Sequence, residues 1–115
     1  MNYERFVSSK CKPGEDILDS LTPEACHLDH MGKGLCGEAG EVIDCIKKHT
    51  AYNQPLDEEN LSEELGDCLF FIAGMANYLG KTLEELMKQN EEKLNLRYSE
   101  GYSDEEAKKR NDKNA

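Results

Sequence analysis

The chain has 115 residues, 37% of them hydrophobic and 33% charged, with a formal net charge of -10. That length supports one modest domain and excludes two independent ones, while the acidic surplus repels polyanions and excludes nucleic-acid polymers as partners of a basic surface. No apolar stretch approaches the roughly 20 residues that cross a bilayer, and residues 1–12 do not read as a signal peptide, so no membrane attachment is expected.

Five cysteines form no Cys-x-x-Cys pair and read as reduced thiols. The expected location is therefore cytoplasmic, meaning a host's cytoplasm if the gene belongs to a phage.

In chain order, Tyr3, Phe6 and Val7 at helical spacing predict a first short helix over residues 2–9, which Pro13-Gly14 interrupts. Thr22-Pro23-Glu24 is an N-cap followed by proline at the first helical position, and it opens a long helix ending near Lys47-Lys48-His49. Residues 50–56 form a loop. Asp57 then begins a second long helix through Leu61, Leu65, Leu69, Ile72, Ala76 and Leu79, stopped by Gly80.

Thr82 with Glu85 makes a capping box for a third helix carrying Leu83, Leu86, Met87, Asn90, Leu94 and Arg97. Ser103 with Glu106 repeats that start signal, and residues 108–115 read as a frayed end. No segment alternates as a strand does, so the fold class is all-α. Residues 1–102 form the domain, and 103–115 a short polar helix and tail. Two long antiparallel helices hold its centre, in a small bundle completed by a homodimer or homotetramer, because so few helices bury several wide apolar faces poorly alone.

The most informative feature is a pair of matching clusters, Glu38-Ala39-Gly40-Glu41 and Glu64-Leu65-Gly66-Asp67. Each places two acids three residues apart inside an apolar helical pattern, so both can face one point. With about 100° per residue, Leu35, Ala39, Val42, Ile43 and Ile46 define the stripe of the first long helix, and Leu61, Leu65, Cys68, Leu69 and Ile72 that of the second. The acids then lie roughly 80° and 140° to the same side of each stripe. Antiparallel packing through the stripes is expected to let all four carboxylates converge.

Such carboxylates repel unless a cation neutralises them, and hard oxygen ligands suit Mg²⁺ or Mn²⁺. Gly40 and Gly66 each cost about 1 kcal/mol inside a helix relative to alanine. Close backbone approach at the metal site is the expected reason.

On these residues the sequence resembles the MazG-like nucleotide pyrophosphohydrolases, a family of all-α NTP pyrophosphatases, in its short single-domain form. The family mark, ExxE followed by ExxD, falls on Glu38 to Glu41 and Glu64 to Asp67. The likeness includes His30, residues 34–42, Ile46-Lys47-Lys48, Pro55-Leu56-Asp57, Asn60-Leu61, Glu63 to Asp67, Leu83-Glu84-Glu85, Asn90, Lys93-Leu94, Arg97-Tyr98 and Gly101-Tyr102.

The resemblance implies hydrolysis of a nucleoside triphosphate, ribo or deoxy, between its α and β phosphates. It implies Glu38, Glu41, Glu64 and Asp67 as Mg²⁺ ligands, with the metal neutralising the triphosphate and lowering the pKa of the attacking water. Glu41 and Glu64 are the candidates for taking that water's proton.

Asn90, Lys93 and Arg97, at i, i+3 and i+7, line one helix face that can hold the departing pyrophosphate, or else form a solvated face paired with Glu91 or Glu92. Lys47 either reaches phosphate or complements the helix end. Phe71, four residues after Asp67, either stacks on a nucleobase or packs in the core. His30 borders the nucleotide pocket by resemblance.

Two other readings stay open. One is a related pyrophosphohydrolase acting on dUTP, phosphoribosyl-ATP or a guanosine alarmone; the other is a non-catalytic helical interaction module.

Overall fold

The computed structural model describes residues 2–98 and 101–110, which form six helices and no strand. Helix α1 (Tyr3–Lys10) starts at Asn2, whose side-chain oxygen accepts the backbone N–H of Arg5 at 2.9 Å. Helix α2 (Gly14–Asp19) is an addition to the sequence reading, in which Pro13-Gly14 only interrupts. Proline presets φ at -61° at the cap, and Glu15 and Asp16 sit in the first turn, where a helix favours negative charge.

Helix α3 (Pro23–Thr50) begins at Thr22, whose hydroxyl accepts the Ala25 N–H at 3.1 Å, and runs past its basic turn to Thr50. His49 Nδ1 lies 2.6 Å from the Gln54 carbonyl and ties the following loop to the helix end. Helix α4 (Glu58–Tyr78) is capped by Asp57, which accepts the Asn60 N–H at 3.0 Å. The chain turns after it at Gly80 with φ of 67°, a left-handed conformation that glycine adopts without cost.

Helix α5 (Leu83–Arg97) opens on the Thr82 cap, its hydroxyl accepting the Glu85 N–H at 3.1 Å. Helix α6 (Asp104–Lys109) opens on Ser103 in the same way. Lys108 and Lys109 therefore belong to a helix, where the sequence reading has a frayed end; residues 111–115 of that end lie outside the described residues.

The α3–α4 hairpin carries nearly all of the packing between helices. Its partners run in opposite order along the two helices: Met31 meets Gly74, Gly34 meets Phe71, and the Cys45 thiol reaches the Asp57 carbonyl at 3.6 Å. The helices are therefore antiparallel, as expected. A Cβ on Gly34 would overlap the Phe71 ring, and one on Gly74 would overlap the Met31 sulfur. Glycine at these two points lets the backbones approach.

Gly34→Ala is expected to lower stability by up to about 2 kcal/mol, since overpacking costs about 1–3 kcal/mol against a helix-propensity gain of about 1 kcal/mol. Thermal unfolding of the variant measures it.

The seam departs from the expected stripes. On α3 the more protected side chains are Met31, Leu35, Glu38, Val42 and Cys45, whereas Ile43 is 63% exposed. On α4 they include Leu61, Glu64, Cys68, Phe71, Ile72, Met75 and Ala76, whereas Leu65 and Leu69 are 50% and 55% exposed. Both helices are rotated so that an acid faces the partner helix and part of each apolar stripe faces outward. Among the described residues only Met31, Cys45 and Ala76 are buried apolar side chains.

The remaining helices add little closure, because α5 touches α4 only lightly and α1 and α2 make no extensive contact with other helices. The radius of gyration is 19.8 Å, against about 13 Å for a compact chain of this length.

Candidate metal centre

Rotation of the two seams brings Glu38 of α3 opposite Glu64 and Asp67 of α4. One carboxylate oxygen from each lies within 4.8 Å of the others. Glu38 and Glu64 are half-buried and Asp67 is exposed, so the cluster sits at the mouth of the seam.

A hydrogen bond shared with Glu38 raises the Glu64 pKa, with desolvation and the charges of Glu38 and Asp67 acting in the same direction. That shift is the electrostatic signature of crowded acids. Three carboxylates without a histidine or thiol among them form a hard oxygen donor set, which fits Mg²⁺ or Mn²⁺ and would disfavour zinc or copper.

A pH dependence follows. Because the folded Glu64 binds its proton more tightly than the unfolded chain does, stability is fully present below the ordinary carboxylate range and lost as pH rises through the raised folded value. In chelator, thermal unfolding between about pH 4 and about pH 7 is expected to fall more steeply for the native chain than for Glu38→Gln, which removes the main cause.

The other candidates are dispersed. Glu41 is exposed and lies outside the three-carboxylate cluster, so three of the four motif acids converge rather than all four. It stands a turn further along α3. Gly40 and Gly66 have nothing within 4 Å of a Cβ position, so close approach inside the chain does not account for them, contrary to the sequence expectation. That role belongs to Gly34 and Gly74.

Phe71 is half-buried, with its ring over Gly34 and edge-on to Phe70 at 5.1 Å. Its place in the helix crossing follows the packing alternative. His30 is exposed on α3, and the Lys47 ammonium lies over the Tyr52 ring at 5.6 Å. On α5, Asn90 and Lys93 line one shallow groove, while the Arg97 guanidinium lies 5.8 Å from the Tyr98 ring. This helix makes no extensive contact with α3, so a single chain does not close the basic row over the acids.

Sequence reasoning gave no role to Tyr98 and Tyr102, whose rings sit 5.3 Å apart, nor to Asp104, which accepts the Tyr102 hydroxyl at 2.5 Å. The aromatic spacing across Gly101 was the available signal.

Comparison with known proteins gives the family. The family model described as the MazG nucleotide pyrophosphohydrolase domain matches residues 27–101, a span that contains α3, α4 and α5 except the first turn of α3. The chain is also 31% identical over 93 residues to the Gene 37 protein of Mycobacterium phage L5, covering 77% of this chain and 78% of that protein. No solved structure matches it. With most of its length matched and its paired acids inside the match, the chain belongs to the MazG family of nucleotide pyrophosphohydrolases.

Proposed function

We propose that this pyrophosphohydrolase is Mg²⁺-dependent, accepts Mn²⁺, and cleaves a nucleoside triphosphate to the monophosphate and pyrophosphate. The observation that carries the reading is the convergence of Glu38, Glu64 and Asp67 across the α3–α4 seam, with the Glu64 pKa raised by its neighbours. These three residues hold the cation, and Glu41 joins them from the same face of α3 or takes the proton of the attacking water. A bound divalent cation supplies charge neutralisation of the triphosphate and acidification of that water.

The chain's own cations answer the leaving group. Lys93 and Arg97, with Asn90, hold the departing pyrophosphate, and Lys47 reaches phosphate from the end of α3. His30 borders the base. A homodimer or homotetramer completes the fold, since Ile43, Leu65, Leu69 and Phe70 remain outside the seam of one chain. No helix among the described residues is long and apolar enough to cross a membrane. The proposed place of action is the cytoplasm, where the triphosphate pool lies.

Pyrophosphate release from a panel of ribo- and deoxyribonucleoside triphosphates tests the reading. Turnover is expected with Mg²⁺, background with chelator, and recovery when Mg²⁺ or Mn²⁺ is restored. Cleavage of only dUTP, phosphoribosyl-ATP or an alarmone would replace the substrate. Metal-independent turnover would remove the role given to the acids.

A further inference from the structure

The wedge between α4 and α5 is a groove of about 750 Å³, with Leu69 and Ile72 on one wall and Leu83, Leu86 and Met87 on the other. Asn90 and Glu91 continue the α5 wall as its polar part. Nothing from the described chain fills this space. The N-terminal arm, residues 2–12, presents the matching shape: Tyr3, Phe6, Val7 and Lys10 fall at i, i+3, i+4 and i+7 of α1.

Tyr3 is 73% exposed and Phe6 48%, with their rings stacked at 6.2 Å and the Lys10 ammonium over Phe6 at 5.7 Å. An apolar stripe that ends in a lysine faces no core of its own, because α1 makes no extensive contact with the other helices. The groove is an apolar wall that ends in a glutamate.

Charge supports the same match. Arg5, Lys10 and Lys12 against Glu4 give the arm a net charge of +2, whereas residues 57–98, with ten acids against four bases, carry -6. The arm is thus opposite in charge to the helices that form the groove.

We propose that the arm of one copy docks in the α4–α5 groove of a second copy, Phe6 and Val7 filling the wedge and Lys10 approaching Glu91. An amphipathic helix seated in an apolar groove is a standard recognition geometry, and opposite charge at its rim fixes its direction. Docking holds α5 at a set angle to α4. Resting on the function proposed above, that angle also positions the Asn90, Lys93 and Arg97 row.

The test uses the full chain with a photoreactive benzoyl-phenylalanine in place of Phe6, mixed as isotopically heavy and light copies. Irradiation is expected to give heavy-to-light cross-links from position 6 to peptides spanning residues 69–91, lost in a Met87→Glu partner copy that keeps its cooperative unfolding. Phe6→Asp is expected to weaken self-association at least tenfold. Cross-links confined to a single copy would show the arm folding back on its own chain, and links between copies that end elsewhere, or no links, would likewise overturn the proposal. The readout does not depend on turnover, so an inactive enzyme with the expected cross-links would reject the assigned function and leave the docking intact.

Discussion

Glu38→Gln is expected to lower turnover on the order of a thousandfold, and Glu64→Gln and Asp67→Asn to do the same. Each amide keeps the size of its side chain but removes one negative charge from a donor set of three. Metal affinity should fall together with rate, because a Mg²⁺ ion has few oxygen ligands in this seam to replace the lost one.

Glu41→Gln separates two roles for the exposed fourth acid. As a proton acceptor it would reduce kcat by about 100- to 10,000-fold with metal affinity kept. As a ligand it would weaken both. Steady-state kinetics with Mn²⁺ titration on each variant distinguishes these outcomes, and full turnover in Glu38→Gln would discard the site. The same substitution should also raise the stability of the metal-free chain at neutral pH, since it relieves the crowding that raises the Glu64 pKa. Loss of rate with gain of stability is a pattern that simple misfolding does not produce.

The second large effect concerns the outward apolar face. Phe70 is 66% exposed and makes its ring contact, among the described residues, with Phe71, beside the likewise exposed Leu69. One chain buries so little that a second copy is the natural cover. Phe70→Asp would place an unpaired charge in that interface, at a cost of about 3 kcal/mol or more. Sedimentation is expected to show a monomer, and calorimetry a broad, weak transition in place of a cooperative one. An unchanged assembly would mean that this face meets solvent and that the chain is stable as an open hairpin. Because the proposed interface would be built from the same helices that carry the acids, turnover should fall with assembly and return at high protein concentration.

Much of this fold is legible in the sequence because its signals are local. Thr22, Asp57, Thr82 and Ser103 each cap a helix through a side-chain oxygen, and Gly80 ends one through its positive φ. Such motifs depend on only a few neighbouring residues. Helix α2 was less legible, since its six residues carry no apolar period and only the acids after Pro13 mark its start.

The rotation of the α3–α4 seam is another matter. Apolar periodicity reports that a residue is buried without reporting by which chain, so Ile43, Leu65 and Leu69 read as the inner stripe although they face outward in the single chain. Heptad-like spacing of Met31, Leu35, Glu38, Val42 and Cys45 was the competing signal, and an acid in its middle disguised it. On the proposed function that disguise has a reason, since a carboxylate in a seam is unfavourable until a cation joins it.

The motif glycines show the same limit. Gly34 and Gly40 look alike in sequence, yet only Gly34 meets a side chain, because it alone lies on the seam opposite Phe71. For Asn90, Lys93 and Arg97, helical spacing fixes a shared face but not its distance from the acids, which is set by how α5 is held.

A crystal grown with Mn²⁺ and a non-hydrolysable triphosphate gives the most direct measurement. The anomalous signal is expected to place manganese within about 2.0–2.4 Å of oxygens from Glu38, Glu64 and Asp67, with phosphate oxygens on the same ion. Manganese bound elsewhere, or nucleotide bound with those three carboxylates still facing one another and no ion between them, would contradict the account.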